Sequence, residues 1–160
     1  MSEPVASRPH VPSSYGIQPA NAGELLPWSW ALERLVKSRG YWLSTVSPDG
    51  RPHLAPMWGV FIDPYFCFGT DVLSRKARNL EDNRHVCVAI DDTFETVFIE
   101  GTVEAIPIEM LNEYFSLYSA KYDLTVENLN AAGSFRVVPE KAFGYIDDER
   151  FPNIATRWTF

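Results

Sequence analysis

Cysteine and histidine, the residues that form disulfides and most transition-metal sites, are scarce in this chain of 160 residues. It contains two cysteines and three histidines. Cys67 and Cys87 each lie in an apolar stretch typical of a β-strand, where a free thiol behaves as a small hydrophobic side chain. Neither has another metal-binding residue at the short spacing of a zinc site. We therefore expect no disulfide and no metal ion.

Positive charge is also scarce, with 14 lysines and arginines against 21 aspartates and glutamates, a formal net charge of −7. Nonspecific binding to nucleic acid or to an acidic membrane surface needs a positive field, so the composition argues against both. No apolar run reaches the ~18 residues of a membrane span, and the N-terminus lacks a signal-peptide pattern. We expect a cytoplasmic protein with a flexible N-terminal arm over residues 1–23 and one domain over residues 24–160.

The sequence lacks the G-x-G-x-x-G motif of dinucleotide-binding folds, and helices do not separate its predicted strands regularly. Two amphipathic helices are predicted to begin near Pro27 and Pro107, because proline suits the start of a helix. Most other apolar stretches resemble short strands joined by tight turns, such as the Pro-Asp-Gly sequence at 48–50. These patterns predict a mainly β protein, an antiparallel barrel of about six strands with helices packed on it.

A short third helix is predicted in the sequence LSRKARNL, which carries an unusual concentration of positive charge. Ser74 is a suitable N-cap, because its hydroxyl can accept a hydrogen bond from a free backbone N–H of the first turn. Arg75, Lys76 and Arg78 then lie near the helix N-terminus, where the helix dipole makes cations unfavourable. Free N–H groups, the dipole and three cations together indicate an anion site, above all for phosphate.

A simpler interpretation makes these cations a solvated helix face that pairs with Glu81 and Asp82. That interpretation does not explain why the cations lie at the unfavourable end of the helix. In either case the opposite face, formed by Leu73, Ala77 and Leu80, is expected to pack on the core.

The stretch RPHLAPMWGVFI is predicted to be an incompletely paired strand. Pro52 and Pro56 cannot donate backbone hydrogen bonds, and Gly59 permits close approach to the backbone. Its free carbonyl and amide groups can therefore meet the polar edge of a flat ring system. Met57 and Trp58 can form an apolar wall beside such a ring.

Two side chains of this strand have competing interpretations. His53 can hydrogen-bond to a ligand or donate a proton to it, but a histidine beside a turn is more often structural. Trp58 can equally be a core tryptophan, because strand alternation places it on one face with Leu54 and Val60.

Five segments, taken in their order along the chain, resemble the pyridoxamine 5′-phosphate oxidase-like flavin-binding split barrels: PWSWALERL, YWLSTVSPDGRPHLAPMWGVFID, FGTDVLSRKARNL, VFIEGTVE and the terminal ATRWTF. More narrowly, they are similar to the flavin/deazaflavin oxidoreductase branch. The resemblance runs from about Leu25 to the C-terminus. It implies a six-stranded antiparallel split barrel that forms a homodimer, with a flavin-type cofactor in each of two clefts at the subunit interface.

The resemblance also implies that the basic helix start binds the phosphate of the cofactor, while the proline-containing strand lines its other side. The candidate cofactor-binding residues are His53, Ala55, Pro56, Met57, Trp58, Gly59, Thr70, Ser74, Arg75, Lys76 and Asn79. The implied activity is hydride transfer between the cofactor and a small conjugated substrate. Because proximity is all that this chemistry strictly requires of the protein, no catalytic residue is assigned.

The chain departs from the family pattern in ways that bear on the cofactor. Members that bind FMN often carry a basic residue late in the proline-containing strand, whereas Gly59, Val60 and Phe61 stand there in this chain. We therefore expect the deazaflavin coenzyme F-420, with FMN as the second choice, although Thr159 also stands where relatives often have a basic residue. The C-terminal arginine-based substrate clamp of true pyridoxamine phosphate oxidases is not recognisable, so oxidation of vitamin B6 is not expected.

Two alternatives to an enzyme stay open. Split barrels of this type can hold a flavin, haem or another tetrapyrrole without turnover, and His85 or His53 could then ligate haem iron. A degenerate barrel can also be kept as a structural dimer.

The aromatic content exceeds what the interior of a small barrel comfortably holds, with five tryptophans, seven tyrosines and ten phenylalanines. We expect the excess to cover a subunit interface. The candidates for stacking on an aromatic substrate, each of which also suits the core, are Tyr41, Trp42, Tyr145 and Trp158.

Overall fold

A computed structural model describes residues 3–12, 14, 24–125 and 133–160, which contain nine strands and three helices. The strands are β1 (Val5–Ser7), β2 (Tyr41–Val46), β3 (Pro52–Met57), β4 (Val60–Ile62), β5 (Tyr65–Gly69), β6 (His85–Ile90), β7 (Glu95–Ala105), β8 (Ser134–Ile146) and β9 (Thr156–Thr159). The helices are α1 (Trp28–Lys37), α2 (Arg75–Asp82) and α3 (Ile108–Tyr122).

The strands form one antiparallel sheet in the order β1-β9-β8-β7-β6-β2-β3, and β5 joins β4 to β8 beside this path. Consecutive strands β3 and β4 do not pair, so among the described strands the sheet is open between them. The helices contact the sheet, α2 on β2, α3 on β4, and α1 on β4 and β7. The predicted mainly β, antiparallel split barrel with packed helices is confirmed.

The structure has nine strands where about six were predicted, and two of the added strands have a clear origin. The proline-containing stretch forms two strands, because β3 ends at Met57, and Trp58 and Gly59 separate it from β4. In addition, β1 forms an edge strand in which Val5 lies opposite Thr159 of β9.

Strand β1 belongs to the segment that we predicted as a flexible N-terminal arm, and at residues 5–7 this segment lies along the sheet. Residues 1–2, 13 and 15–23 of the arm lie outside the described residues. The division into an arm at 1–23 and a domain at 24–160 stays a prediction.

Helical periodicity predicted the buried faces of the helices in part. Helix α1 buries Trp28, Ala31 and Leu35, whereas the apolar Val36 is 50% exposed. The inward face of α1 is narrow, because successive residues turn by about 100° around the helix axis.

Helix α2 also buries less of its apolar face than the sequence suggested. Ala77 and Leu80 are buried, whereas Leu73 precedes the helix and is 80% exposed. Within the described part of the chain, none of the helices has the length and apolarity needed to cross a membrane.

The apolar interior has two parts. One cluster fills the barrel and includes Tyr41 and Trp158, which are almost completely buried. Neither ring can therefore stack on a substrate at the surface, unlike Trp42, which is 41% exposed. The second cluster lies between α3 and β4–β5, and it contains Tyr122 near the end of the helix.

Candidate cofactor-binding site

Helix α2 begins at Arg75, and Ser74 is its N-cap, as predicted. The Ser74 hydroxyl accepts a hydrogen bond from the backbone N–H of Ala77 at 3.2 Å, and it lies 3.0 Å from the Thr70 hydroxyl. The first turn of the helix contains no acidic side chain. The positive end of the helix is therefore not neutralised from within, and two candidate site residues are joined there by a hydrogen bond.

The three cations of α2 are available to a ligand. Arg75 and Arg78 are exposed, and Lys76 is partly exposed. Across the described residues none of the three takes part in an ion pair. The predicted pairing with Glu81 and Asp82 is therefore wrong for the isolated chain, whereas the exposure of these cations is compatible with both a solvated face and an anion site.

The turn between β2 and β3 contributes one carboxylate near the helix start. A hydrogen bond from the Ser47 hydroxyl is the main cause that lowers the pKa of Asp49, and the charge of Arg75 adds to the lowering. Asp49 also pairs with the exposed Arg51 at 3.1 Å. Asp49 is therefore held mainly by contacts within its own turn, and Arg75 is the smallest of the named influences on its pKa.

A buried hydrogen-bonded chain connects α2 to β3. The Asn79 side-chain amide donates to the Thr45 hydroxyl at 2.9 Å, and that hydroxyl lies 3.4 Å from Nδ1 of His53. Thr45 also lies directly opposite His53 in the register of β2 and β3. Two candidate residues that are far apart in sequence are therefore brought together by Thr45, a residue that sequence reasoning missed.

Among the described strands β3 lies at an edge of the sheet, where it pairs with β2 alone. Its side chains alternate, with Pro52, Leu54 and Pro56 exposed and with His53 and Ala55 partly buried. The edge position leaves backbone groups on the outer side without a strand partner, as the prolines predicted. This edge borders the opening of the barrel.

The two side chains predicted to form an apolar wall have different environments. Met57 is 6% exposed and belongs to the barrel core, so its side chain does not face the opening. Trp58 is 53% exposed, which excludes the interpretation as a core tryptophan. Its indole stacks on the ring of Tyr122, with centroids 4.8 Å apart.

Gly59 is required by packing within the chain. A Cβ at this position would lie 2.4 Å from Cζ of Phe66, so the space beside the glycine is filled by that ring. The Gly59 N–H donates to the Tyr122 hydroxyl at 2.9 Å, and its carbonyl accepts from Lys121 at 3.0 Å. Its backbone groups are therefore engaged by α3 and are not free for a ligand, contrary to the reason for which we selected it.

Lys121 is a half-buried cation beside Gly59. Its ammonium group donates to the hydroxyl oxygen of Tyr41 at 2.8 Å as well as to the Gly59 carbonyl. Burial lowers the pKa of Lys121 to about 8, and the positive charge of Arg39 adds to the lowering. Sequence reasoning missed this contact, because a lysine in the last turn of a helix is usually exposed.

The contacts divide the candidate residues into two groups. Hydrogen bonds join Thr70 to Ser74 at the start of α2, and they join Asn79 to His53 through Thr45. Trp58 and Gly59 are instead anchored on Tyr122 of α3. Within the described ranges, no hydrogen bond, ion pair or ring contact joins this second group to α2.

Metal-binding side chains do not gather in this region. Across the described residues no group of three or more His, Cys, Asp or Glu side chains could hold a metal ion. The donor set at the start of α2 consists of cations, hydroxyls and backbone N–H groups, which together favour an oxyanion.

Comparison with known proteins assigns the chain to a family. The family model described as pyridoxamine 5′-phosphate oxidase matches residues 31–145. This span includes all eleven candidate residues. A search of curated proteins gives no match.

Several solved structures share the fold. An F420 reductase superposes with a TM-score of 0.54 at 24% identity, over 67% of this chain and 89% of that chain. A FAD-binding protein from Mesorhizobium loti gives 0.59 at 18% identity, over 84% of this chain and 96% of that one. A heme binding protein from Mycobacterium smegmatis gives 0.64 at 12% identity, over 75% of this chain and 55% of that one.

Proposed function

The chain belongs to the pyridoxamine 5′-phosphate oxidase family, and on this premise we propose that it is an oxidoreductase that uses a flavin-type cofactor on a small conjugated substrate. The observation that carries the proposal is the start of α2. Its cap is formed, its first turn lacks acids, and its three cations have no ion-pair partner among the described residues. Such a helix start is suited to the phosphate of a cofactor.

The residues present fit such a group. Ser74, Arg75 and Lys76 would hold the phosphate, since free backbone N–H groups and cations meet there. The unpaired outer edge of β3 would offer backbone groups to the polar edge of a ring, and Trp58 would cover an apolar part. When bound, a flavin or deazaflavin supplies the hydride chemistry. The protein's part is to hold the reactants in contact and to exclude water.

Within this proposal the deazaflavin coenzyme F-420 is favoured over FMN. The region between Trp58 and Ile62 contains no basic residue, and its side chains at Val60 and Phe61 are buried. The cations of α2 are therefore the main positive charges that this part of the chain offers a phosphate. A singly charged phosphodiester needs fewer charged partners than the doubly charged phosphomonoester of FMN.

A homodimer is part of the same proposal, and the outer face of the sheet supports it. On this face, six residues that lie opposite one another on neighbouring strands form a largely apolar row across the sheet. They are Pro56, Trp42, Ala89, Phe98, Phe143 and Arg157. The rings of Phe98 and Phe143 stack at 4.8 Å, and Trp42 is 41% exposed. An apolar aromatic face of this kind is suited to burial against a second copy of the chain.

Binding without turnover is the second candidate, because structures of heme binding proteins share the fold. His85 is exposed at the first residue of β6 and could serve as an axial ligand. The two candidates differ in the absorbance spectrum of the purified protein. A flavin or deazaflavin band, with bleaching on reduction and recovery on addition of an enone, supports the oxidoreductase. A Soret band from co-purified haem, with no flavin-type band on reconstitution, contradicts it.

A further inference from the structure

The hydrogen-bonded chain between α2 and β3 has a defined direction. Thr45 is 0% exposed and Asn79 is 3% exposed, so water does not compete for these groups. Asn79 Nδ2 can only donate, and it lies 2.9 Å from Thr45 Oγ1, which must therefore accept. The single hydrogen of the threonine hydroxyl is then left for its other neighbour, Nδ1 of His53, at 3.4 Å.

The direction of these hydrogen bonds determines which nitrogen of neutral His53 carries the ring hydrogen. A neutral imidazole has one nitrogen that donates and one that accepts. If Nδ1 of His53 accepts from Thr45, the ring hydrogen lies on Nε2. No described residue forms a hydrogen bond with Nε2, and the His53 ring is only partly buried.

We propose that Thr45 is a positioning residue that holds neutral His53 as the Nε2–H tautomer and so makes it a hydrogen-bond donor. This inference rests on the function proposed above, and on the sequence-based prediction that His53 is a cofactor-binding residue. A cofactor group that contacts Nε2 would then have to accept a hydrogen bond, as a phosphate oxygen or a ring carbonyl oxygen does. The same hydroxyl fixes the amide of Asn79, so one buried side chain orients both candidate residues.

The tautomer is measured by nitrogen NMR on cofactor-free protein with labelled imidazoles, at alkaline pH where histidine is neutral. The chain has three histidines, and a His53→Gln variant assigns the signal. We expect the hydrogen of wild-type His53 on Nε2. Thr45→Ser keeps the hydroxyl and should keep this tautomer, whereas Thr45→Val, which has the same shape without the hydroxyl, should populate both tautomers.

A second variant covers the case in which Thr45→Val does not fold, as judged by circular dichroism. Asn79→Leu removes the amide that donates to Thr45. The Thr45 hydroxyl is then no longer required to donate to His53, so the preference of His53 for the Nε2–H tautomer should weaken. Wild-type protein with the hydrogen on Nδ1 would overturn the proposal. So would an unchanged tautomer preference in folded Thr45→Val, or in Asn79→Leu where Thr45→Val does not fold.

Cofactor titration provides the functional readout. We expect Thr45→Val to weaken binding of FMN or coenzyme F-420 by about tenfold, and Thr45→Ser to weaken it much less. In a His53→Gln background the effect of Thr45→Val should shrink, because the two residues act together. Full additivity would overturn the positioning role. Protein that shows the expected tautomer but binds neither compound would refute the proposed function and leave the tautomer assignment intact.

Discussion

The indole of Trp58 lies flat on the phenol ring of Tyr122, with ring centroids 4.8 Å apart and ring planes 8° apart. Trp58 connects β3 to β4, and Tyr122 is the last residue of α3. The Tyr122 hydroxyl lies 2.9 Å from both the N–H and the carbonyl oxygen of Gly59, and 2.8 Å from the carbonyl oxygen of Arg39. One tyrosine therefore fixes the strand junction beside the barrel opening with both its ring face and its hydroxyl.

Replacing Tyr122 by Phe should destabilise the protein while keeping the ring stack. The change leaves the buried N–H of Gly59 without its acceptor, which costs about 1–3 kcal/mol. Denaturant unfolding measures the loss. Tyr118→Phe is a matched control one turn earlier, because Tyr118 is a buried residue of the same helix but its hydroxyl forms no hydrogen bond with the described residues. Equal losses for the two variants would show that the hydroxyl contacts of Tyr122 contribute little.

Lys121 should make stability depend on pH in the alkaline range. Its pKa falls from 10.5 to about 8 on folding, so between these values the unfolded chain holds more protons than the folded one. Burial of the charged ammonium destabilises the fold below pH about 8, and this penalty is relieved as the pH rises toward 10.5. Stability relative to Lys121→Met should therefore increase across that window.

The measurement for Lys121 is the difference in unfolding free energy between wild type and variant, from urea titrations at several pH values. Taking the difference cancels the titration of groups that the two proteins share. Lys37→Met is the control, because Lys37 is 73% exposed and pairs with the exposed Glu33. A difference for Lys121→Met that does not change across the window would show that burial does not shift the pKa of Lys121.

The start of α2 should be essential for cofactor binding but not for folding. We expect Arg75→Ala/Lys76→Ala to weaken binding by at least about tenfold, because each charge-assisted hydrogen bond to a phosphate contributes ~1.5–3 kcal/mol. The fold should survive, since neither side chain is buried and neither has an ion-pair partner in the described ranges. Fluorescence or absorbance titration gives Kd.

The control for this double variant removes the same charge elsewhere. Lys37→Ala/Arg150→Ala eliminates two exposed cations outside the candidate site. A similar loss of affinity in both double variants would indicate a general effect of net charge, and unchanged affinity in the first would reject the phosphate assignment.

The helix start could be predicted from the sequence because its interactions are local. Ser74 caps the backbone N–H of Ala77, three residues on, and this contact follows from the order of residues alone. The mainly β fold could also be predicted, since turn residues and apolar stretches alternate along the chain. The boundary between β3 and β4 could not, because Trp58 and Gly59 are compatible with either a continuous strand or a break.

The rest of the site depends on contacts between distant residues. Thr45 meets Asn79, 34 residues away, only because α2 packs on β2. The sequence of β2 contained one indication of this contact. Tyr41, Leu43 and Thr45 lie on the buried face at alternate positions, and a threonine on such a face needs a hydrogen-bond partner. The role of Gly59 could not be predicted, because nothing in the sequence shows that the Phe66 ring fills the space beside it.

The outer face of the sheet should form the subunit interface. We expect a dimer at micromolar concentration in sedimentation velocity, and we expect Phe98→Glu to give a folded monomer, because it places a charge at the centre of the apolar row. Leu117→Glu on α3 is the control, since Leu117 is 41% exposed, as Trp42 of the apolar row is, but lies outside this face. A monomeric wild type, or a Phe98→Glu variant that stays dimeric, would contradict the assignment.

The choice of cofactor follows from how many charges the site can offer one phosphate. FMN ends in a phosphomonoester with two negative charges, and several charge-assisted partners are needed to offset its desolvation. Coenzyme F-420 instead has a singly charged diester followed by an acidic tail, so Arg75, Lys76 and Arg78 can divide between the diester and the tail. We therefore expect cofactor-free protein to bind F-420 more tightly than FMN in parallel titrations at moderate salt. The Arg78→Ala variant should weaken F-420 binding more than FMN binding. Arg78 lies beyond the first residues of the helix and is exposed to solvent, so its guanidinium is placed to meet the acidic tail rather than the phosphate. Submicromolar FMN binding together with undetectable F-420 binding would show that the helix start alone satisfies a doubly charged phosphate.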